Sequence, residues 1–270
     1  MPTSSAPLEI GRVALTVNDL PRMTAFYRSA LGLEPMGEDG ETARLGAGGR
    51  ALLELRADPV ARRGDPRAAG LFHTAFLLPR RADLGKWLYH AAETRLPIAG
   101  ASDHGVSEAI YLSDPEGNGI EVYSDRPKSG WLRKNGGIAM STDLLDMNDL
   151  AASADGRWSG APEGTVVGHV HLQVGALPEA EAFYGGTLGF DLTARYPGGS
   201  FFGAGGYHHH LAANVWNSRG AGPRLFPSTG LADLEILGDP AALAALRARG
   251  VGAVLSDPWG TPVTLNAKAA

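Results

Sequence analysis

The chain has 270 residues, 44% of them hydrophobic, enough to bury one large core or two small ones. A net charge of −5, with 29 acidic and 24 basic residues interspersed, offers no basic stripe for nucleic-acid phosphates or anionic lipid, so neither is expected as a partner. No apolar run approaches the roughly 18 residues of a membrane span, the opening "MPTSSAPLEI" has no basic-then-apolar leader, and there is no cysteine; a cytoplasmic protein is expected, with any metal held by His, Asp or Glu.

The alternation Val13, Leu15, Val17 predicts a strand, and the segment from there through "AFY" to "LG" has helical spacing that Gly32 would end. A strand in "GLFHTAFLLP", a helical run near 82–95 and a closing strand in "SDPEGNGIEV" come next. Segment 126–165 is a Gly- and Asp-containing connector, long enough to carry the second half of the chain across the molecule or to cover a site. Beyond it the chain repeats: "GHVHLQVGALPEAEAFYGGTLGF" at 168–190 matches 11–33 at a constant offset without gaps. Val170, Leu172 and Val174 read as its strand and Gly189 as its helix end; "GLADLEILGD", a helix near 239–249 and "SDPWGTPVTL" complete the second copy. The chain therefore reads as an α+β protein of four units, near 9–57, 70–125, 166–217 and 229–266, each a strand, a helix and about three more strands. Two halves, 1–125 and 166–270, would each contain two units. The helical aromatics Phe26, Tyr27, Phe183 and Tyr184 are expected in the core.

The "V.L.V.DL....AFY...LGL" opening and the "DPEGNGIEV" ending resemble the vicinal oxygen chelate superfamily, whose glyoxalase, bleomycin-resistance and extradiol dioxygenase members are built from paired βαβββ modules. The resemblance covers nearly the whole chain and implies two paired-module, barrel-like domains. "HGVSEAIYLSDPEGNGIEVY" and "GYHHH" are most similar to the catechol 2,3-dioxygenase branch. Fold alone does not fix chemistry on this scaffold, so the site must.

Along "GNGIEVY", Ile120 and Val122 share one face while Glu121 lies on the other with Gly119 and Tyr123. A lone glutamate there would be read as a salt bridge or a surface carboxylate. Here His73 stands on the first strand of the same unit, 48 residues earlier, and His169 holds the matching first-strand position in the third. The family places ligands on a module's first and last strands, so the resemblance implies His73, His169 and Glu121 as metal ligands. Two imidazoles and one carboxylate with open positions suit non-haem Fe(II), with Mn(II) also fitting. This set requires units two and three to share a barrel. Units one and four would then bring together Arg12, Asp233 and Thr264 with Glu54, which cannot form such a site.

In "GYHHHLAANVW", strand alternation counted from His208 puts His208, His210, Ala212, Asn214 and Trp216 on one face, and His209, Leu211, Ala213 and Val215 on the other. His210 is expected as the acid–base residue and His208 as a pocket or supporting group, although a one-residue bulge would exchange them with His209. The resemblance adds Tyr111, ten residues before Glu121, to hydrogen-bond a bound diol oxygen. It also adds His104, about two residues closer than the family pattern, to hold the ring or gate the pocket. Trp216 and Phe201 are candidates to line an aromatic cavity.

The implied activity is extradiol cleavage of a catecholic substrate by O2, in aromatic compound catabolism, without an organic cofactor and in a homo-oligomer. A glyoxalase-type lyase or isomerase would want a second glutamate where Asn214 lies. A metal-free binding or resistance protein would have no use for the three ligand positions.

Overall fold

The computed structural model describes residues 5–134 and 136–269. The first unit comprises β1 (Leu8–Val17), α1 (Leu20–Leu31), β2 (Glu34–Glu38), β3 (Thr42–Ala47) and β4 (Arg50–Ala57). The second comprises β5 (Gly70–Leu77), α2 (Arg81–Glu93), β6 (Ile98–Asp103), β7 (Ser107–Ser113) and β8 (Gly119–Asp125). The connector holds a 3-10 turn (Lys128–Gly130), β9 (Arg133–Lys134), β10 (Gly137–Ile138) and α3 (Met147–Ala152).

The third unit runs β11 (Val166–Gln173), α4 (Leu177–Ala180), a π-helical stretch Glu181–Thr187, β12 (Asp191–Tyr196), β13 (Gly199–Gly203) and β14 (Leu211–Asn214). Its helix widens where Gly185 and Gly186 weaken ordinary α-helical propensity. The fourth unit has β15 (Gly230–Gly238), α5 (Pro240–Ala248), β16 (Val254–Ser256) and β17 (Pro262–Ala267). It has two strands after the helix rather than about three, because only residues 249–261 separate α5 from the last strand β17, against 94–118 between α2 and β8 in the second unit.

These strands form two curled sheets, an α+β architecture as the sequence pattern implies. One has the order β16-β17-β15-β1-β4-β3-β2, the other β12-β13-β14-β11-β5-β8-β7-β6. Each is joined at its centre by the first strands of two units, β1 antiparallel to β15 and β5 antiparallel to β11. Strands of the first unit thus share a sheet with the fourth, and strands of the second with the third.

Alternation explains how the sheets pack. Val13, Leu15 and Val17 of β1 enter one continuous core with Phe76, Ile120, Val122, Val170 and Leu172 of the other sheet. His169, His171 and Gln173 interleave with those valines and leucine on β11, and every residue of that strand is buried. The eight-stranded sheet therefore turns its apolar face to the core and its polar side chains to its own concavity.

The helices carry a second tie. α1 starts where Asp19 accepts the Arg22 N–H (3.0 Å) and buries Leu20, Met23, Tyr27, Ala30 and Leu31 at helical spacing. The Tyr27 hydroxyl donates to Asp114 (2.8 Å) in the "SDPEGNG" turn, and Tyr184 donates to Asp257 (2.7 Å) in "SDPWGTP". The repeated tyrosine and aspartate are thus partners between neighbouring units of one half. Phe26 and Phe183 are only partly buried, packed against the same core.

Candidate metal centre and its cavity

Ala75 of β5 is flanked by Glu121 of the parallel strand β8 and by His169 of the antiparallel strand β11. His73 lies two residues back on the same face. The small Ala75 side chain leaves the three larger ones room to converge. His73 Nε2 stands 3.0 Å from Glu121 Oε2, His169 Nε2 stands 3.4 Å from the same oxygen, and the two Nε2 atoms are 3.4 Å apart. At Gly168, a Cβ would overlap the Tyr123 hydroxyl, so glycine is what lets β11 bring His169 close.

All three ligand candidates are buried. Burial pushes the His169 imidazole down to about 4, against the pull of Glu121. Burial alone would raise the Glu121 carboxyl, but His169 and His73 hold it well below the usual carboxylate range. Neutral imidazole and ionised carboxylate are the forms that bind metal.

Glu121 Oε1 has no hydrogen-bond partner, although it is buried. An ionised carboxylate enclosed in this way calls for a cation. Donors sharing a metal at about 2.1 Å and near right angles lie about 3 Å apart, close to the separations found. Among the described residues these three form the one group of His and acidic side chains arranged to hold a metal ion.

A cavity of about 700 Å³ opens onto all three, and Tyr111, His104, His171, His209, Phe201 and Trp216 line it as well. His104 donates from Nδ1 to the Ser141 carbonyl (2.7 Å), which leaves its Nε2 to accept the Tyr111 hydroxyl (2.6 Å). Burial and the Glu121 charge raise the Tyr111 phenol well above its usual value, so it stays a donor. Connector residues 136–142 cover this side of the cavity.

The expectation for His210 does not fit. Residues 207–210 precede β14 rather than belonging to it, so alternation counted from His208 does not hold. A one-residue irregularity ahead of Leu211 exchanges the faces. His210 is fully buried against Tyr207 and Phe190, accepts the Ala204 N–H at Nδ1 (3.2 Å), and lies outside the cavity.

His209 takes the cavity-facing position, its ring centroid 4.1 Å from that of His169. His208 is buried behind it, outside the cavity lining, with Nε2 2.9 Å from Asp125 Oδ1 and Nδ1 2.8 Å from His209 Nδ1. The Asp125 carboxylate can only accept, so His208 donates to it and accepts from His209 Nδ1. The free nitrogen of His209 is then Nε2.

One cavity residue was not singled out from the sequence. His171 follows His169 by one alternation step, a signal legible in "HVHLQV"; its Nε2 accepts Asn214 Nδ2 (3.0 Å). His209 is the alternative that a one-residue bulge in the histidine run was expected to exchange with His208 and His210.

The other sheet brings together the set expected there as an ion-pair network. Arg12 Nη1 lies 3.4 Å from Asp233 and 3.7 Å from Glu54, Thr264 donates to Asp233 (2.8 Å), and Arg44 and Arg56 pair with Glu54. A guanidinium occupies the middle of this concavity.

The family model described as "Glyoxalase/Bleomycin resistance protein/Dioxygenase superfamily" matches residues 9–122 and 166–255. The chain is 44% identical over 228 residues to a catechol-2,3-dioxygenase of Bacillus subtilis (strain 168), covering 82% of this chain and 80% of that protein. It is 30% identical over 132 residues to biphenyl-2,3-diol 1,2-dioxygenase 3 of Rhodococcus globerulus, covering 43% of this chain and 63% of that one. Among solved structures it shares its fold with a putative dioxygenase from Bacillus subtilis subsp. subtilis str. 168, with a TM-score of 0.65 at 12% identity over 97% of this chain and 86% of that one. It shares it also with glyoxalase I from Zea mays, with a TM-score of 0.55 at 17% identity over 96% of this chain and 92% of that one. The chain belongs to the glyoxalase/bleomycin resistance protein/dioxygenase superfamily, the vicinal oxygen chelate proteins, on its catechol 2,3-dioxygenase branch.

Proposed function

We propose that the protein is an extradiol ring-cleaving dioxygenase that inserts both atoms of O2 into a catecholic substrate. His73, His169 and Glu121 would hold Fe(II), and Mn(II) suits the same donors. The observation that carries this reading is the buried face of two imidazoles and one carboxylate with, among the described residues, no second carboxylate beside it. Asn214 stands where a glyoxalase-type centre would want a glutamate, and its amide is engaged by His171. The metal-free binding role is disfavoured by the same buried carboxylate.

Iron held there supplies the redox chemistry that lets a catechol react with O2. The chain's own groups would do the rest. His209 Nε2 takes a proton from the diol and returns it to the oxygen-derived group before the ring opens. The Asp125 carboxylate, acting through His208, holds His209 in the tautomer that leaves this nitrogen free and steadies its protonated form. Tyr111 donates to a diol oxygen, with His104 fixing its hydroxyl direction. Phe201, His171 and Trp216 wall the ring, and residues 136–142 limit water. His208 therefore supports from behind, and the acid–base role passes from His210 to His209.

In this reading residues 1–125 and 166–270 are the two duplicated domains, and units two and three form the active barrel. The protein would work as a cytoplasmic homo-oligomer.

The test is elemental analysis of anaerobically purified wild type and His73→Ala, then addition of catechol and air. About one iron or manganese per chain in wild type is expected, with O2 consumed and a yellow ring-opened product. Metal and product should both be lost in the variant. Metal retained in His73→Ala would overturn the ligand set, and metal bound without diol turnover would overturn the dioxygenase reading.

A further inference from the structure

A second cavity, of about 1000 Å³, adjoins the first and shares His73, Tyr111, His171 and Trp216 with it. It runs away from the metal centre along β5, and its course depends on a register shift. His171 pairs with His73 but Leu172 pairs with Leu71, leaving Phe72 bulged. The bulge brings Phe72 to the cavity side, where its ring lies 5.0 Å from His171 and 5.5 Å from Trp216. Past it, Gly70 faces the cavity as His73 does.

Arg224 fills the space that Gly70 leaves. A Cβ at Gly70, whose φ is +144°, would come 3.1 Å from Arg224 Nη1. Nη2 donates to the Leu231 carbonyl, and the Phe226 ring lies 4.4 Å from the guanidinium carbon. Nε is buried and unpartnered, and among the described residues no carboxylate approaches the guanidinium within 4.0 Å.

The acidic groups nearby are otherwise engaged. Glu116 pairs with Arg63 and accepts from the backbone of Asn18 and Asp19. Asp65 accepts from Arg67 N–H. Asp257 favours the Arg224 charge from a distance, but its oxygens take Tyr184, Trp259 and Thr261. Burial pushes the guanidinium down to about 10, which leaves it charged at neutral pH. Exposed Arg62 adds positive charge at the mouth.

We infer that Arg224 anchors an anionic substituent of the substrate, so that the favoured diols carry a short acidic chain. This rests on the dioxygenase reading. Three strand steps separate Gly70 from His73, about 10 Å at ~3.3 Å per residue. That distance accommodates an aromatic ring against His73 and His171 with a carboxylate-bearing chain directed along β5. A charged, half-buried guanidinium with free donors is satisfied by a carboxylate in a way no neutral chain can match.

The experiment compares (3,4-dihydroxyphenyl)acetate and 3-(2,3-dihydroxyphenyl)propionate, each with its methyl ester, in wild type, Arg224→Gln and Arg224→Lys. The readout is the acid-to-ester ratio of kcat/KM, which cancels any general loss of activity. For at least one pair the wild-type ratio should exceed about tenfold; it should fall to within about threefold of unity in Arg224→Gln and lie between in Arg224→Lys. No preference for either acid in wild type, or a preference that survives Arg224→Gln, would overturn the assignment. Binding of the same pairs to iron-loaded protein under anaerobic conditions, measured by calorimetry, reads Arg224 without turnover. If no diol is cleaved, the dioxygenase reading fails, and tighter binding of acid than ester, lost in Arg224→Gln, still upholds the anchor; equal affinities would sink it.

Discussion

Replacing His210 by leucine tests whether this histidine is a buried structural group rather than a catalytic one. Its side chain is fully buried, its Nε2 has no partner, and burial together with the charge of His208 pushes its pKa down to about 3. An unfolded histidine titrates near 6.5. Because the folded value lies below the unfolded one, the neutral ring is favourable above about pH 6.5, and that contribution is lost as pH falls towards the folded value. The unfolded chain binds the extra proton throughout this window, so the loss approaches about 1.4 kcal/mol per pH unit and amounts to about 2 kcal/mol between pH 7 and pH 5. His210→Leu removes that share. Urea unfolding monitored by tryptophan fluorescence should therefore show the stability difference between variant and wild type shifting by about 2 kcal/mol in the variant's favour on going from pH 7 to pH 5. The variant should still cleave catechol. A stability difference that stays constant across this range, or loss of turnover with a folded, iron-loaded protein, would refute the reasoning.

The geometry of the site and of its supporting strand makes three more outcomes testable. His209→Gln should keep its iron but lose about 10²–10⁴-fold in kcat, and Asp125→Asn should lose about 10–100-fold with an altered pH–rate profile, both checked by steady-state kinetics against measured iron content. Gly168→Ala forces a methyl group into the Tyr123 hydroxyl and should cost about 1–3 kcal/mol by thermal unfolding, with weaker iron retention; unchanged stability would contradict the close approach of β11.

The duplication and the alternation in Val13–Val17 and Val170–Val174 are local patterns, so the four units and the α+β class are legible in the sequence. The candidate ligands are legible for the same reason, since His73, Glu121 and His169 each lie within a strand that the repeated motifs mark, despite bulges beside His73 and His169. His209 is not, because its direction is set by an irregularity between β13 and β14, where the Thr193 hydroxyl donates to the His208 carbonyl (2.5 Å). Arg224 is hidden for a different reason. It lies 154 residues from Gly70 in the chain, and only the pairing of distant strands and a bulge at Phe72 bring the two together. The strands of module four could not be counted correctly from its likeness to the others, because the span between α5 and β17 is shortened by about one strand without disturbing the flanking motifs.

The crossed pairing of the sheets has a consequence for synthesis of the chain. When only the first two units have left the ribosome, β1 is covered by β4 and β5 by β8, but each lacks its second neighbour. Both are apolar strands with an open edge, the kind of surface that recruits another strand. β11 closes one edge when the third unit emerges, and β15 closes the other only near the end of translation. His169 arrives with β11, so the nascent first half carries two of the three ligand candidates and waits for the third. If the three hold a metal as proposed, its capture would be confined to chains whose two repeated halves have already found each other, and the ion would act as a late clasp on that meeting.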